Sequence, residues 1–327
     1  MCKIKSYNNM GGTEMLIFEK HRILIIAKET EMQFYNLDNL KLLKTIHVND
    51  AAGFFADYNS DRVFCFTTQN QILIIDMGTF KYDCFLLNAF TEAFSDGEYF
   101  EVGKISLIKD EILLVSDFTY HRVAVYDIVN NKCEKILAIN TDEKDMTGMT
   151  YNPIEKTVTM VEEVFCDDIL GYEYFDEQLW QTVNSNILQQ ELKINLIRKK
   201  ENVMYCSPSK KECIIYHKEG GLFRKKHYSL IYSNYEKMIS YQAEINCRLN
   251  VMYMHNLFNH IHYQNGITAL YFENGIVICR ISENKFDVLD CILIQNIADV
   301  KGYDDGRKIM VLTWDTLLIA DVETDIA

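Results

Sequence analysis

The sequence predicts an all-β protein, a seven-bladed β-propeller closed by the N-terminal strand pairing with the last blade, and three observations predict it. Short runs rich in β-branched and aromatic residues recur along the chain and are bounded by Asn, Asp and Gly, as strands are. One motif recurs at seven places, and the six intervals between copies are mostly of about 40 to 50 residues. A four-stranded propeller blade has about this length.

The recurring motif is an apolar run, then an aromatic or apolar residue, then an acidic or polar turn. Its best copies are residues 34–38, 75–79 and 125–129, and the others are weaker. The intervals between the copies are 40, 51, 46, 44, 64 and 40 residues. Seven copies predict seven blades, and a count of six or eight stays open. The anchor residues of the copies are Tyr35, Ile75, Tyr126, Tyr172, Tyr216, Arg280 and Ala320.

The first two units show how each interval divides into strands. Their apolar runs are mostly continuous and lack a helical period, which indicates strands buried on both faces. The first unit is divided into residues 15–19, 22–28, 32–37 and 40–48, and the second into residues 53–57, 62–67, 71–77 and 81–87. Glycine is scarce, at 14 residues, and asparagine is expected to replace it in the turns because it tolerates positive φ.

The two ends of the chain predict how the ring closes. Residues 3–7 are left over before the first unit, and the last unit, which ends at residues 317–322, lacks an outer strand. Pairing the two would remove the open sheet edges, and residues 1–327 would then be a single propeller domain. The other explanation is that residues 3–7 form a disordered tail.

Two stretches fit this pattern poorly. In residues 177–200, the spacing of Trp180, Val183, Ile187 and Leu192 allows a helix with one apolar face, or else strands. Residues 223–250 lie in the long interval of 64 residues. They are interpreted as an insertion in the propeller, with a concealed eighth unit as the alternative.

One segment resembles known propeller repeats. Residues 116–127 read Ser-Asp-Phe-Thr-Tyr-His-Arg-Val-Ala-Val-Tyr-Asp and resemble the NHL repeat, and residues 130–137 resemble the YVTN type of repeat. The signature of the WD40 repeat family is missing, because the chain has 2 Trp and no Gly-His pair. The chain therefore resembles WD40 propellers in its predicted architecture and not in the sequence of its repeats. The resemblance implies the propeller fold and no particular reaction.

Composition excludes several classes of protein. The chain has 33 Lys and Arg against 47 Asp and Glu, a net charge of −14, which disfavours nucleic-acid binding. The sequence contains neither an apolar run long enough for a membrane helix nor an apolar leader. Its 10 cysteines are scattered, without a Cys-x-x-Cys motif. We therefore expect a cytoplasmic, acidic protein with reduced thiols, no bound cofactor and no membrane partner.

A partner-binding face is predicted where the turns between second and third strands meet the crossovers between blades. This set of loops is rich in carboxylates with interleaved aromatic residues, which would attract and hold a basic peptide or protein. The other explanation is that acidic loops keep the protein soluble. The candidate contact residues are Asp117, Phe118, Tyr120, Glu162, Glu163, Asp167, Asp168 and Trp314.

Two groups could instead hold a metal or perform acid–base chemistry. His255, His260 and His262 have spacing compatible with a metal site, or are ordinary strand residues. The four carboxylates in residues 162–168 could surround a hard cation, but they lack the order of a calcium loop. Nucleophile-elbow and nucleotide-binding motifs are missing from the sequence, and no catalytic residue is assigned.

Three functions follow, in order of preference. The first is an interaction module that binds a protein or peptide through the acidic, aromatic-dotted face. The alternative is a propeller enzyme, a hydrolase or lyase, with a metal or carboxylate site near the channel mouth. The third is a sensor or scaffold whose ligand enters the channel.

Overall fold

The computed structural model describes most of the 327-residue chain, in segments separated by short gaps. The described segments are residues 3–49, 51–57, 60–67, 69–87, 102–109, 112–117, 122–138, 146–152, 157–164, 178–185, 190–200, 203–207, 212–220, 226–234, 236–250, 260–262, 267–282, 285–304 and 307–322.

Within these segments the strands form seven sheets of four strands each. A strand at the N-terminus, β1 (Lys3–Asn8), precedes the first complete sheet. The first sheet contains β2 (Glu14–Phe18), β3 (Ile23–Ala27), β4 (Glu31–Asn36) and β5 (Leu42–His47). The second contains β6 (Ala51–Asp57), β7 (Arg62–Thr67), β8 (Gln71–Asp76) and β9 (Tyr82–Leu86). The third contains β10 (Val102–Lys109), β11 (Ile112–Asp117), β12 (Arg122–Asp127) and β13 (Lys132–Ala138).

The remaining four sheets follow in chain order. The fourth contains β14 (Met146–Asn152), β15 (Thr157–Val164), β16 (Gln178–Ser185) and β17 (Gln190–Lys200). The fifth contains β18 (Val203–Ser207), β19 (Glu212–Glu219), β20 (His227–Asn234) and β21 (Ile239–Ile245). The sixth contains β22 (His260–His262), β23 (Ile267–Phe272), β24 (Gly275–Ser282) and β25 (Lys285–Leu293). The seventh contains β26 (Ile297–Tyr303), β27 (Lys308–Thr313), β28 (Thr316–Asp321) and β1.

The strand at the N-terminus pairs with the last sheet, as the two ends of the sequence predict. β1 runs antiparallel to β28, with Lys3 opposite Asp321 and Asn8 opposite Thr316. The seventh sheet therefore has three strands from residues 297–321 and an outer strand from residues 3–8. Residues 3–7 are part of this pairing and do not form a disordered tail.

The fourth sheet departs from the simple antiparallel order of the other sheets. Its strand order is β14-β15-β17-β16, and β15 runs parallel to β17. A helix in residues 177–200, one of two alternatives that the sequence left open, is wrong, because the stretch contains β16 and β17. Leu192, Ile194 and Leu196 alternate with polar residues, and this period of two is the strand signal in that stretch.

The interval of 64 residues has a simple cause. Most of the anchor residues that the structure describes, such as Tyr35 and Arg280, lie in the third strand of their sheet, whereas Tyr216 lies in β19, the second strand. Residues 223–250, for which an insertion was expected, contain β20 and β21, the third and fourth strands of the fifth sheet. The stretch completes a regular sheet.

Neighbouring sheets pack face to face through apolar side chains. One buried cluster joins the first and second sheets and includes Ile25, Phe34 and Cys65. Others join the second to the third sheet, the fifth to the sixth, the sixth to the seventh and the seventh to the first. Burial on both faces is the reason that the middle strands are continuously apolar.

Hydrogen bonds place the turns between second and third strands beside the crossovers between sheets, as predicted. The Val48 N–H donates to the Thr30 carbonyl at 3.1 Å, and the Leu87 N–H donates to the Asn70 carbonyl at 2.8 Å. The Ile294 N–H makes the equivalent bond to the Asn274 carbonyl at 3.2 Å. These loops therefore share one face of the molecule, which we call the crossover face.

Several turns between third and fourth strands use an Asn or Asp at the end of the third strand. The Asn36 side chain accepts the N–H groups of Asp38 and Asn39 at 3.1 Å. The Asp76 carboxylate accepts the Thr79 hydroxyl at 2.7 Å and the Thr79 N–H at 2.8 Å, and these bonds lower the pKa of Asp76. Asparagine takes positive φ at several turns, although other residue types do so as well. The asparagines with positive φ are Asn9, Asn70, Asn131 and Asn296.

Within the described residues, no helix has the length and apolar character required to cross a membrane.

Candidate functional site

A groove of ≈ 470 Å³ opens on the crossover face where the seventh sheet meets the first. Three chain segments form it: the crossover from β1 to β2, the turn between β3 and β4, and the turn between β27 and β28. We call it the Trp314 groove. The residues that line it are Asn9, Gly11, Gly12, Thr13, Lys28, Glu29, Thr30, Glu31, Trp314 and Asp315.

The β1–β2 crossover packs closely because it contains two glycines. A Cβ atom on Gly11 would lie 2.2 Å from the Cα of Asp315, and one on Gly12 would lie 2.4 Å from the Ala27 carbonyl oxygen. The Gly12 N–H donates to the Thr313 carbonyl at 3.1 Å, and the Thr13 N–H donates to the Ala27 carbonyl at 2.9 Å. The crossover is therefore bonded to both neighbouring sheets at the bottom of the groove.

The turn between β3 and β4 supplies most of the charge. It is closed by a hydrogen bond of 2.8 Å from the Lys28 N–H to the Glu31 carbonyl. The Glu31 carboxylate accepts the Gln33 amide at 2.6 Å and lies 3.9 Å from the Lys28 ammonium. The Gln33 amide oxygen in turn accepts the Tyr35 hydroxyl, and burial, assisted by the negative charge of Glu31, raises the pKa of Tyr35. Glu31 is thus positioned by neighbours, while Glu29 is exposed at the tip of the turn.

The turn between β27 and β28 leaves a large aromatic side chain in solvent. Trp314 is 60% exposed, although tryptophan is one of the largest apolar side chains. The turn around it is well bonded, since the Thr316 N–H donates to the Thr313 hydroxyl at 3.0 Å. The Thr313 hydroxyl lies 3.2 Å from the Asp315 carboxylate. The indole is therefore exposed on an ordered turn beside a carboxylate.

The groove carries net negative charge. Glu29, Glu31 and Asp315 contribute three carboxylates against the single ammonium of Lys28. The groove therefore has two more carboxylates than ammonium groups, and an exposed indole lines it as well. This combination favours the binding of a cation that loses part of its hydration shell. An indole face attracts ammonium and guanidinium groups more strongly than the other aromatic rings do.

A second groove lies between the second and third sheets and differs in charge. Its volume is ≈ 400 Å³, and Tyr82, Phe85 and Val129 supply its apolar surface. Arg62 and Lys81 are balanced there by Asp76 and Asp83. Since its charges cancel, this groove offers less selection for a charged ligand than the Trp314 groove.

The structure places two of the sequence-predicted contact residues in detail. Trp314 lines the groove and is exposed. Asp117 is fully buried at the end of β11, where its carboxylate binds the Arg122 guanidinium at 2.5 and 2.7 Å. Asp117 therefore stabilises its own sheet and is not available to a partner at the surface.

Other predicted residues are placed by backbone alone or lie outside the described residues. Glu162 and Glu163 are in β15, opposite Arg198 and Lys199 in the parallel register with β17. Acidic and basic residue types are therefore neighbours on these two strands. Outside the described residues lie Phe118, Tyr120, Asp167 and Asp168.

Two of the three histidines of the expected metal site lie in a described strand, and the third does not. His260 and His262 are both in β22, opposite Leu270 and Thr268 of β23, while His255 lies outside the described residues. Among the residues that the structure describes, no group of three or more His, Cys, Asp or Glu side chains could hold a metal ion.

The predicted contact residues did not include the residues that form the bottom of the groove, Gly11 and Gly12. The adjacent glycines in a chain that has only 14 were the available signal, since glycine permits the backbone to approach another segment closely.

Comparisons with known proteins identify the fold. No family model matches the chain, and no curated protein matches it. The chain is similar to a solved structure of hydrazine synthase from Kuenenia stuttgartiensis, with a TM-score of 0.61 and 9% identity over 98% of this chain and 97% of the other. It is also similar to the structure of the RRP9 WD40 repeats, with a TM-score of 0.55 and 10% identity over 97% of each chain. The chain has a β-propeller fold.

A third similar structure is that of a mitotic checkpoint complex, with a TM-score of 0.55 and 10% identity, covering 97% of this chain and 91% of that one. The propeller fold that the resemblance of residues 116–127 implies is confirmed by these matches. Identities of this size show a shared fold and do not transfer a function.

Proposed function

We propose that this propeller is a protein-interaction module and that it binds a basic segment of a partner protein in the Trp314 groove. The observation that carries the proposal is the exposed indole of Trp314, which lies among three carboxylates. Tryptophan is enriched among the residues that dominate binding energy at protein interfaces.

The construction of the groove supports binding without a large rearrangement. Its walls are turns closed by backbone hydrogen bonds, and its bottom is the glycine crossover bonded to two sheets. A preorganised surface loses little conformational entropy when a ligand binds. An arginine or lysine of the partner would stack on Trp314 and reach the carboxylates of Glu29 and Asp315.

The overall charge supports the same class of ligand. The net charge of −14 attracts a basic segment over a distance, which raises the rate of association at low ionic strength. An acidic segment would be repelled both by this field and by the groove itself.

We also infer that the seven sheets form one closed ring, in which residues 1–327 are a single domain. Support comes from the boundary between the seventh and first sheets, where a buried cluster includes Met15 and Leu24 on one side and Met310 and Leu317 on the other. There the Met15 N–H donates to the Asp299 carboxylate at 2.9 Å. In a closed ring, weakening this boundary destabilises the whole chain in one transition.

Peptide titration tests the binding proposal directly. The probes are short fluorescein-labelled peptides with two arginines among glycines, and matched peptides with glutamates in their place. We expect the arginine peptide to bind the full chain and the glutamate peptide not to bind. The Trp314→Ala variant should bind the arginine peptide about tenfold more weakly, because a partly desolvated cation–π contact contributes about 1 to 2 kcal/mol.

A matched control separates this effect from a general loss of exposed apolar surface. Met238 is 91% exposed in the turn between β20 and β21, and Met238→Ala should bind as the unmodified chain does. Binding should also weaken between low and high salt. Equal binding by Trp314→Ala, or equal binding of the two peptides, would show that the groove is not the site.

A further inference from the structure

Two cysteines, one in the crossover after β21 and one in β25, meet at the boundary between the fifth and sixth sheets. The Sγ atoms of Cys247 and Cys291 are 2.8 Å apart, although the residues are separated by 44 positions in the chain. A disulfide bond has a length of about 2.05 Å, so the two sulfur atoms are already close to bonding distance. We propose that Cys247 and Cys291 form a reversible disulfide that fastens the crossover after β21 to the outer strand of the sixth sheet.

The surroundings of the pair restrict its motion on both sides. Cys247 follows β21 in a segment whose Leu249 is 3% exposed, and the Leu249 N–H donates to the Tyr216 hydroxyl at 3.1 Å. Cys291 lies in β25, opposite Val277 of β24. Both cysteines pack against the apolar cluster that joins the two sheets. The thiols are therefore held beside each other by the packing of the sheets.

Hydrogen bonds connect the same crossover to the turn between β23 and β24. The Asn250 N–H donates to the Asn274 side-chain oxygen at 2.8 Å, and the Asn274 side-chain amide donates to the Arg248 carbonyl at 3.1 Å. Three successive residues of the crossover, Arg248 to Asn250, are thus bonded to other parts of the fold. A covalent bond at Cys247 would complete this attachment without requiring the segment to move far.

Three other cysteines have different neighbours. The Cys279 thiol donates to the Thr268 carbonyl at 3.3 Å, and the Cys65 thiol faces the Phe66 carbonyl at 3.8 Å. Burial raises the pKa of the Cys65 thiol to about 12, which keeps it protonated and unreactive. Cys84 is exposed, and its thiol faces the Gln71 side chain at 3.9 Å.

The oxidant in the proposed reaction is a low-molecular-weight disulfide such as oxidised glutathione. The Cys247 thiol loses its proton, and its thiolate attacks one sulfur of the disulfide, which breaks the glutathione S–S bond and releases one glutathione thiolate. The Cys291 thiol then loses its proton and attacks the Cys247 sulfur of the mixed disulfide, releasing the second glutathione. Two electrons pass from the protein sulfurs to the oxidant, and the two protons end on the two glutathione thiols.

The order of these steps follows from the environment of the second thiol. Burial, with a contribution from the contact with Cys247, raises the pKa of the Cys291 thiol. A thiol that is rarely ionised attacks a free disulfide slowly, so Cys247 reacts first. Cys291 acts afterwards because the mixed disulfide is then held next to it.

The test incubates the full chain in mixtures of reduced and oxidised glutathione, quenches with acid and alkylates the remaining thiols before peptide mapping. Under oxidising conditions we expect a peptide pair linked through Cys247 and Cys291, lighter than the sum of the two peptides by two hydrogens. The melting temperature should be about 5 °C higher in the oxidised form, because the bond closes a long loop.

Three variants complete the experiment. Cys247→Ser and Cys291→Ser should each remove the difference in melting temperature between the two forms, and Cys291→Ser should accumulate glutathione on Cys247. Cys84→Ser, which changes an exposed thiol, should keep the difference. The proposal is overturned if both thiols can still be alkylated after incubation in the most oxidising mixture, or if they link to other cysteines. Should the serine variants fail to fold, peptide mapping of the unmodified chain still decides.

Discussion

The boundary between the seventh and first sheets and the boundary between the fifth and sixth sheets are stabilised by different interactions. At the first, a buried carboxylate of Asp299 accepts a backbone N–H, and Arg22 binds both Asp38 and Asp304. At the second, the hydrogen bonds and the sulfur contact described above join neutral groups: the Tyr216 hydroxyl, the Asn274 amide and two thiols.

The crossovers at the two boundaries also differ in the atoms through which they pack. The β1–β2 crossover packs through the backbone of Gly11 and Gly12 and leaves no space for a side chain. The crossover after β21 packs through the side chains of Cys247 and Leu249. The first boundary depends on close backbone packing and charge, so its stability responds to added atoms and to pH, whereas the stability of the second responds to oxidation.

The largest effect is expected from Gly11→Ala. The new Cβ would lie 2.2 Å from backbone atoms of Trp314 and Asp315, and backbone cannot move aside as a flexible side chain can. We expect the free energy of unfolding in a urea titration to fall by about 3 kcal/mol, at the upper end of the usual cost of overpacking.

Gly78→Ala is the matched control for this substitution. The nearest atom to its new Cβ is the Asp76 carboxylate oxygen, at 3.5 Å, so it should change stability by less than about 0.5 kcal/mol. A stable Gly11→Ala variant would mean that the first and seventh sheets do not pack as closely as described.

A smaller effect is expected from Asp299→Ala. Asp299 is 3% exposed, and its carboxylate accepts the N–H groups of Met15 and Val300 at 2.9 and 2.7 Å. Removing the acceptor leaves buried N–H groups without a partner, which costs about 2 kcal/mol. Circular dichroism during urea unfolding measures this loss.

Asp299→Asn keeps one acceptor oxygen and should lose less stability than Asp299→Ala. If both variants unfold in a single transition, the whole chain responds to this boundary, as a closed ring requires. Two separate transitions would contradict the closed ring.

The smallest effect is expected from Arg22→Gln, and it should depend on pH. A side-chain hydrogen bond from Arg22 lowers the pKa of Asp38 below its ordinary value. Because the pKa is depressed in the folded state, the stabilisation is present above the unfolded pKa of about 4 and is lost as the pH falls through the folded value.

The melting temperature of Arg22→Gln should therefore be below that of the unmodified chain at pH 7, and the difference should shrink in acid. Lys285→Gln is the control, since Lys285 pairs with Asp287 at 2.8 Å inside the sixth sheet. A deficit of Arg22→Gln that is unchanged by pH or by salt would show that the ion pairs do not stabilise this boundary.

Much of the fold could be predicted from the residues. The strands of the first two sheets were predicted to within a few residues of their bounds, because short apolar runs such as residues 72–75, bounded by turn residues, are typical of strands buried on both faces. The pairing of β1 with β28 followed from the unpaired edges that the two ends of the sequence would otherwise leave.

Errors arose where one local pattern occurs in two places. The motif at Tyr216 resembles a third strand, yet β19 is the second strand of its sheet, and the error turned β20 and β21 into an expected insertion. Asp117 has the residue type and loop position of a partner contact, but its carboxylate is buried against Arg122. Burial depends on packing, which local sequence does not report.

The residue pattern alone determines the propeller class, most of the strands and the acidic character of the chain, since each depends on local periodicity or on composition. The Trp314 groove and the pair of Cys247 and Cys291 depend on contacts between residues far apart in the chain. Gly11 meets Asp315 across the first boundary, and Cys247 meets Cys291 across 44 residues. Such contacts form only when the sheets pack against one another, so tertiary structure was needed to find both.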